Sequence, residues 1–168
     1  VATGHKVAAA CVGRMARFQL EMGGKNPMVV LDDADLDVAV NCAIHSGFFS
    51  TGQRCTASSR LIVTEGVHER FVAAMAERLR ALKVDDARRP GTDIGPVVDE
   101  HQLAQDLAHV AMAQAEGARL VAGGEALAHS PDGHPGFNMR PALIADTTPE
   151  MRINREEVFG PVASVIRV

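Results

Sequence analysis

Tryptophan and tyrosine are absent from the 168 residues, and phenylalanine occurs only six times. Without those rings, and with lysine and arginine scattered among acids, the chain lacks both the stacking platform and the basic footprint of a nucleic-acid binder. Cysteine is scarce. Cys11, Cys42 and Cys55 form an odd set with no CxxC spacing, which argues against a disulfide framework and a cysteine-rich zinc site, so a reducing cytoplasm is expected. Long apolar runs are missing too. The longest charge-free stretch, residues 38–53, is broken by Asn41, His45, Ser46, Ser50, Thr51 and Gly52, far short of the roughly 20 apolar residues of a membrane span. Only Lys6 precedes the apolar patch near the N-terminus, a poor basis for a signal peptide. Neither nucleic acid nor membrane is expected as a partner.

What is present is ordinary globular composition: 46% hydrophobic residues, with 17 basic against 21 acidic side chains and a net charge of −4. A chain of this length can bury about two-thirds of its unfolded surface, enough for a core without metals or cross-links. The first residue is Val1, and the closing run VASVIRV stops without a turn behind it, so an internal segment of a longer protein is expected.

Hydrophobic periodicity sets the elements. Val7, Cys11 and Met15 predict a helix over about residues 4–16. Phe18, Leu20 and Met22 alternate with Arg17, Gln19 and Glu21, the period of a half-buried strand with Glu21 on its wet side. After the Gly23-Gly24 break, residues 28–31 read as a short strand. Asp32, Asp33 and Asp35 are helix N-cap candidates ahead of the stripe Leu36, Val40, Ala43 and Ile44. That helix fades near Gly47 into a small-residue loop that carries Cys55, and a strand follows over 60–64. Phe71, Met75, Leu79 and Leu82 mark one further helix, and Leu103, Leu107 and Val110 another ending near Gly117. Residues 119–122 and the terminal 162–168 read as strands. Glycines and prolines between residues 123 and 141 mark a surface loop. Helices alternating with strands predict a three-layer α/β sandwich with a mostly parallel sheet.

Three features could carry chemistry. Cys55 lies in a polar loop after Gly52 and beside Arg54, a setting that could expose and activate a thiol, whereas Cys11 and Cys42 read as buried structural cysteines. Glu21, just before a flexible Gly-Gly pair, could lean into a cleft as a general base or remain a solvated charge. Among the seven histidines only His129 and His134 are close, both in the Gly/Pro-rich loop, so no metal site is expected.

The segments LEMGGKNP (residues 20–27), GQRCTASS (52–59) and NREEVFGPVASV (154–165), in that order, resemble the NAD(P)-dependent aldehyde dehydrogenase superfamily. Within it, FFSTGQRCTASSRLIV and MRINREEVFGPV look most like bacterial α-ketoglutaric semialdehyde (2,5-dioxovalerate) dehydrogenases. The resemblance implies that Cys55 is the catalytic thiol and Glu21 the general base, and that Glu157 and Phe159 hold the ribose on the nicotinamide side of NAD or NADP. It implies a small-molecule aldehyde substrate and a homo-oligomer. Met22 stands where the family usually has leucine, a volume-conserving exchange. Residues 1–22 would be the last helix and strand of the cofactor-binding domain and 23–168 an incomplete catalytic domain. The oxyanion-hole asparagine and the pyrophosphate-binding turn would lie upstream. The same reading expects weak dinucleotide binding by this chain alone, with apolar surface exposed on residues 4–16 and along 162–168. A catalytically silent folding or interaction module, or a residual thiol hydrolase, remain alternatives.

Overall fold

In the computed structural model the described residues are 1–127 and 136–168. The expectations placed on His129, Pro131, Gly133, His134 and Pro135 lie outside them. The chain begins with helix α1 (Ala2–Val12), followed by strand β1 (Asn26–Val30), helix α2 (Leu36–Gly47), strand β2 (Ser58–Val63) and helix α3 (Glu65–Ala81). Helix α4 (Glu100–Ala115) leads to strands β3 (Arg119–Ala122), β4 (Ala126–Leu127), β5 (Asn138–Met139), β6 (Ala142–Thr147) and β7 (Val162–Arg167).

Five strands form one sheet in the order β1-β2-β7-β6-β3. The β1/β2, β2/β7 and β7/β6 pairs are parallel, and β3 joins β6 antiparallel. Side chains alternate across it, as the two-residue period of a strand requires. Leu143, Ala145, Ala163 and Val165 pack on one face with Val40 and Ile44 of α2 and Phe71 and Met75 of α3. Ala142, Ile144 and Val162 face the other way, against Val110 and Ala113 of α4. Helices therefore cover both faces, and the three-layer, mostly parallel sandwich expected from the sequence is what forms.

Local chemistry explains the boundaries that position the site. Of the three aspartates ahead of α2, Asp35 caps it, accepting from the Val38 N–H, and Asp32 instead accepts from the Thr64 hydroxyl at 2.5 Å. The run 162–168 is not an exposed edge. Val162 to Ile166 of β7 are buried between β2 and β6, because an apolar run without alternation suits a strand covered on both faces.

The strand expected over 17–22 does not form. Alternation marks an apolar face, but a strand also needs a backbone partner, and none of the described strands pairs with this segment. Leu20 and Met22 instead line a crevice with Gly4, His5 and Ala8 of α1. This corner keeps Val7, Val12 and Met15 exposed, as expected for residues 4–16, and also Phe18 and Met22, where the sequence predicts the covered face of a strand. None of the helices among the described residues is long and apolar enough to cross a membrane.

Candidate active site

The loop after α2 is built on a strained turn. Ser50, Thr51 and Gly52 take φ of 56°, 58° and 65° in succession, the left-handed region where a side chain costs on the order of 1–2 kcal/mol per residue. Neighbouring contacts hold that conformation in place. The Gly52 N–H donates to Phe48 O at 3.1 Å and the Gln53 N–H to Ser50 O at 3.0 Å, while Phe48 itself is fully buried. The Thr51 hydroxyl donates to Gly95 O at 3.4 Å. Only glycine fits at 52, since a Cβ there would stand 2.2 Å from the Gly160 carbonyl oxygen.

Cys55 emerges from this turn exposed to solvent. Its carbonyl accepts from the Asn26 side-chain amide at 2.5 Å, which ties the turn to the head of β1. Among the described residues its own N–H has no acceptor. The expected cation beside the thiol is turned elsewhere, because the Arg54 guanidinium donates to the carbonyls of His45 and Ser46 at 2.9 Å each and satisfies the C-terminal end of α2. Cys11 is half-buried. Cys42 is exposed, contrary to its expected burial, because it lies on the outer side of α2 along a shallow groove with Met28, His45, Arg54 and Thr56.

Glu21 is exposed on the irregular segment that replaces the expected strand, accepting from the Gln19 amide at 2.8 Å. No hydrogen bond joins it to Cys55 among the described residues. The Gly23-Gly24 pair that follows meets Glu157: the Gly24 N–H donates to one carboxylate oxygen at 3.3 Å, and a Cβ on Gly23 would stand 1.6 Å from the other. Gly23, Gly24, Lys25, Arg155 and Glu157 line one cleft. Phe159, two residues on, is part-exposed at φ 62°, again in the left-handed region.

Helix α4 anchors this last segment from behind. The Val158 carbonyl accepts from the side chains of Gln102 and Gln105 at 2.9 and 3.0 Å. Gln102 also donates to Asp106 at 2.7 Å, and the other Asp106 oxygen is buried without a partner among the described residues, 2.1 Å from where a Gly160 Cβ would stand. Burial pushes the Asp106 carboxyl up to about 7, with the Gln102 hydrogen bond opposing the shift.

The fold thus brings together the three sequence segments. Gly23-Gly24 holds Glu157, Gly160 supports Gly52, and Asn26 holds Cys55. Lys25, Asn26, Gln102, Gln105 and Asp106 were not singled out from sequence; the only signal was that Lys25 and Asn26 lie inside the first segment. Among the described residues no group of three or more His, Cys, Asp or Glu side chains could hold a metal ion.

Comparison with known proteins places this arrangement. The chain is 42% identical over 166 residues to a betaine aldehyde dehydrogenase of Cereibacter sphaeroides, covering 99% of this chain and 33% of that protein. It is 41% identical over 165 residues to an α-ketoglutaric semialdehyde dehydrogenase of Bacillus subtilis, covering 98% and 34%. The crystal structure of a betaine aldehyde dehydrogenase from Staphylococcus aureus in complex with NAD⁺ superposes with a TM-score of 0.93 at 33% identity, over 99% of this chain and 33% of that one. The chain therefore spans about a third of the length of the relatives it matches. Residues 1–168 match the aldehyde dehydrogenase family throughout, and the chain belongs to that family.

Proposed function

We propose that this chain supplies the nucleophile, the general base and two cofactor contacts of an enzyme that oxidises an aldehyde to its carboxylic acid with NAD or NADP. The observation that carries this reading is the packing of Gly52 on Gly160, which sets the exposed Cys55 turn against the segment bearing Glu157 and Phe159.

The residues fit a nicotinamide cofactor. Glu157 is exposed and uses one oxygen on Gly24 N–H, so its remaining lone pairs are free to accept from ribose hydroxyls. Phe159 offers an exposed ring beside it. These two residues would hold the cofactor, whose nicotinamide, when bound, accepts the hydride.

The chain's own residues do the rest. The Cys55 sulfur, as thiolate, attacks the aldehyde carbon, and its proton leaves to a base. In the thiohemiacetal the former carbonyl oxygen carries negative charge, which the unpaired Cys55 N–H is free to stabilise. Loss of hydride from that carbon leaves a thioester on Cys55. Glu21 takes a proton from water, the hydroxide adds to the thioester, and sulfur departs to release the acid. Sulfur is a better leaving group than hydroxide, so the tetrahedral intermediate formed on the thioester collapses toward the free acid and thiolate.

As substrate we favour a small semialdehyde such as α-ketoglutaric semialdehyde, supported by the similarity of residues 48–63 and 151–162 to dehydrogenases of that compound and by the Bacillus subtilis relative. The test is aldehyde-dependent reduction of NAD or NADP by the protein as its gene encodes it, with α-ketoglutaric semialdehyde and betaine aldehyde compared. Cys55→Ala should abolish turnover with both. A Cys55→Ala variant that oxidises aldehyde at the unaltered rate would refute the reading.

A further inference from the structure

The Lys25 ammonium is buried at the foot of β1 and makes no hydrogen bond among the described residues. An ammonium has three donors and is strongly hydrated, so burial without a partner is costly unless a nearby opposite charge compensates. Glu157 is the carboxylate that acts on it favourably, across the cleft the two residues line together. Arg60, from β2, acts against it as a like charge, its guanidinium donating to the Asn154 carbonyl at 3.3 Å. Burial first, and Arg60 second, bring the amine down to about 8, with the Glu157 charge opposing the shift.

Among the described residues Glu157 accepts a single hydrogen bond, at 3.3 Å from Gly24 N–H, at the long end for such a contact. Gly23 leaves room for it, since any Cβ there would overlap the carboxylate. One long hydrogen bond does little to fix an exposed carboxylate whose oxygens must face a diol. A second, charged restraint from the same cleft would.

We propose that Lys25 is a positioning residue: its buried ammonium holds the Glu157 carboxylate against Gly23-Gly24 by charge, and thereby sets cofactor affinity without touching the reacting atoms. The proposal rests on the reading of Glu157 as a cofactor contact. It also accounts for an otherwise uncompensated buried cation.

The experiment is a double-mutant cycle on the protein as its gene encodes it, with the dissociation constant of NAD or NADP measured by calorimetry for Lys25→Gln, Lys25→Arg, Glu157→Gln and the Lys25→Gln/Glu157→Gln double variant. Iodoacetamide labelling of Cys55 in each variant reports whether the nucleophile turn is intact. Lys25→Gln should weaken binding on the order of tenfold, as for loss of one nearby opposite charge. Lys25→Arg should recover most of it, and the double variant should bind no more weakly than Glu157→Gln alone. Cys55 labelling should stay at the wild-type rate throughout. If Glu157→Gln weakens binding and Lys25→Gln does not, or if the two losses multiply, the Lys25 inference is wrong and the Glu157 reading stands. If Glu157→Gln binds like wild type, the Glu157 reading fails and takes the inference with it. Slowed Cys55 labelling in Lys25→Gln would mean a general structural role and would overturn the proposal as well.

Discussion

Gly52 and Gly160 meet backbone to backbone, so closely that a Cβ on Gly52 would lie 2.2 Å from the Gly160 carbonyl oxygen. A main-chain carbonyl cannot swing aside as a flexible side chain can. The contact couples the turn that presents Cys55 to the segment that presents Glu157 and Phe159.

Gly52→Ala should therefore be among the most damaging single-methyl changes in the chain. It adds a side chain at φ 65° and an overlap with backbone, two penalties that together are expected to cost about 3 kcal/mol. In a domain of this size that is roughly a 6–12 °C fall in melting temperature. Differential scanning calorimetry measures it, and a fall under about 2 °C would show that the turn relaxes freely.

Asp106 gives a pH signature. Its folded value of about 7 lies above its ordinary value of 3.8, so between those limits the folded state keeps a proton that the unfolded state has released. Stability from this group is then full below about pH 4 and is lost as pH rises to about 7. Asp106→Asn removes the ionisation and keeps the Gln102 partner, so its melting temperature relative to wild type should be higher by several degrees at pH 8 than at pH 4. A difference independent of pH would contradict the assignment.

Both Cys42 and Cys55 are exposed, so access alone does not separate them. Cys42 lies within α2, where its backbone is committed to the helix, while Cys55 projects from a turn. Brief iodoacetamide treatment followed by peptide mapping should find Cys55 modified first and Cys11, half-buried, last. Preference for Cys42 would count against Cys55 as the nucleophile.

Much of the fold was legible in the sequence because apolar spacing reports directly on which face is covered. β1, α2, β2, α3, α4, β3 and β7 all fall within a few residues of their expected places, and Asp35 caps α2. The strand misread over 17–22 shows the limit: Phe18, Leu20 and Met22 alternate, but alternation says nothing about whether a partner strand is there. The buried position of β7 was missed because neighbours in a sheet are set by chain crossovers, not by the strand's own residues. β6 went unread behind the Gly/Pro-rich stretch before it.

The candidate site was legible as residues and opaque as geometry. Cys55, Glu21, Glu157 and Phe159 could be named from three short segments. The left-handed turns at Ser50, Thr51 and Phe159 could not, since none is a glycine and each is imposed by packing. Lys25 and Asp106 look like ordinary surface charges in sequence, and only the fold buries the Lys25 ammonium and one Asp106 oxygen with no hydrogen-bond partner among the described residues.

The most direct test is to trap the acyl-enzyme. In a Glu21→Gln variant of the protein as its gene encodes it, mixed with aldehyde and NAD or NADP, hydrolysis should stall after the first turnover. Mass spectrometry of the peptide containing Cys55 should then show an adduct equal to the aldehyde less two hydrogens, absent in Cys55→Ala and absent without cofactor. An adduct on Cys42 in place of Cys55, or a Glu21→Gln variant that turns over at the wild-type rate with no adduct, would contradict the assigned roles.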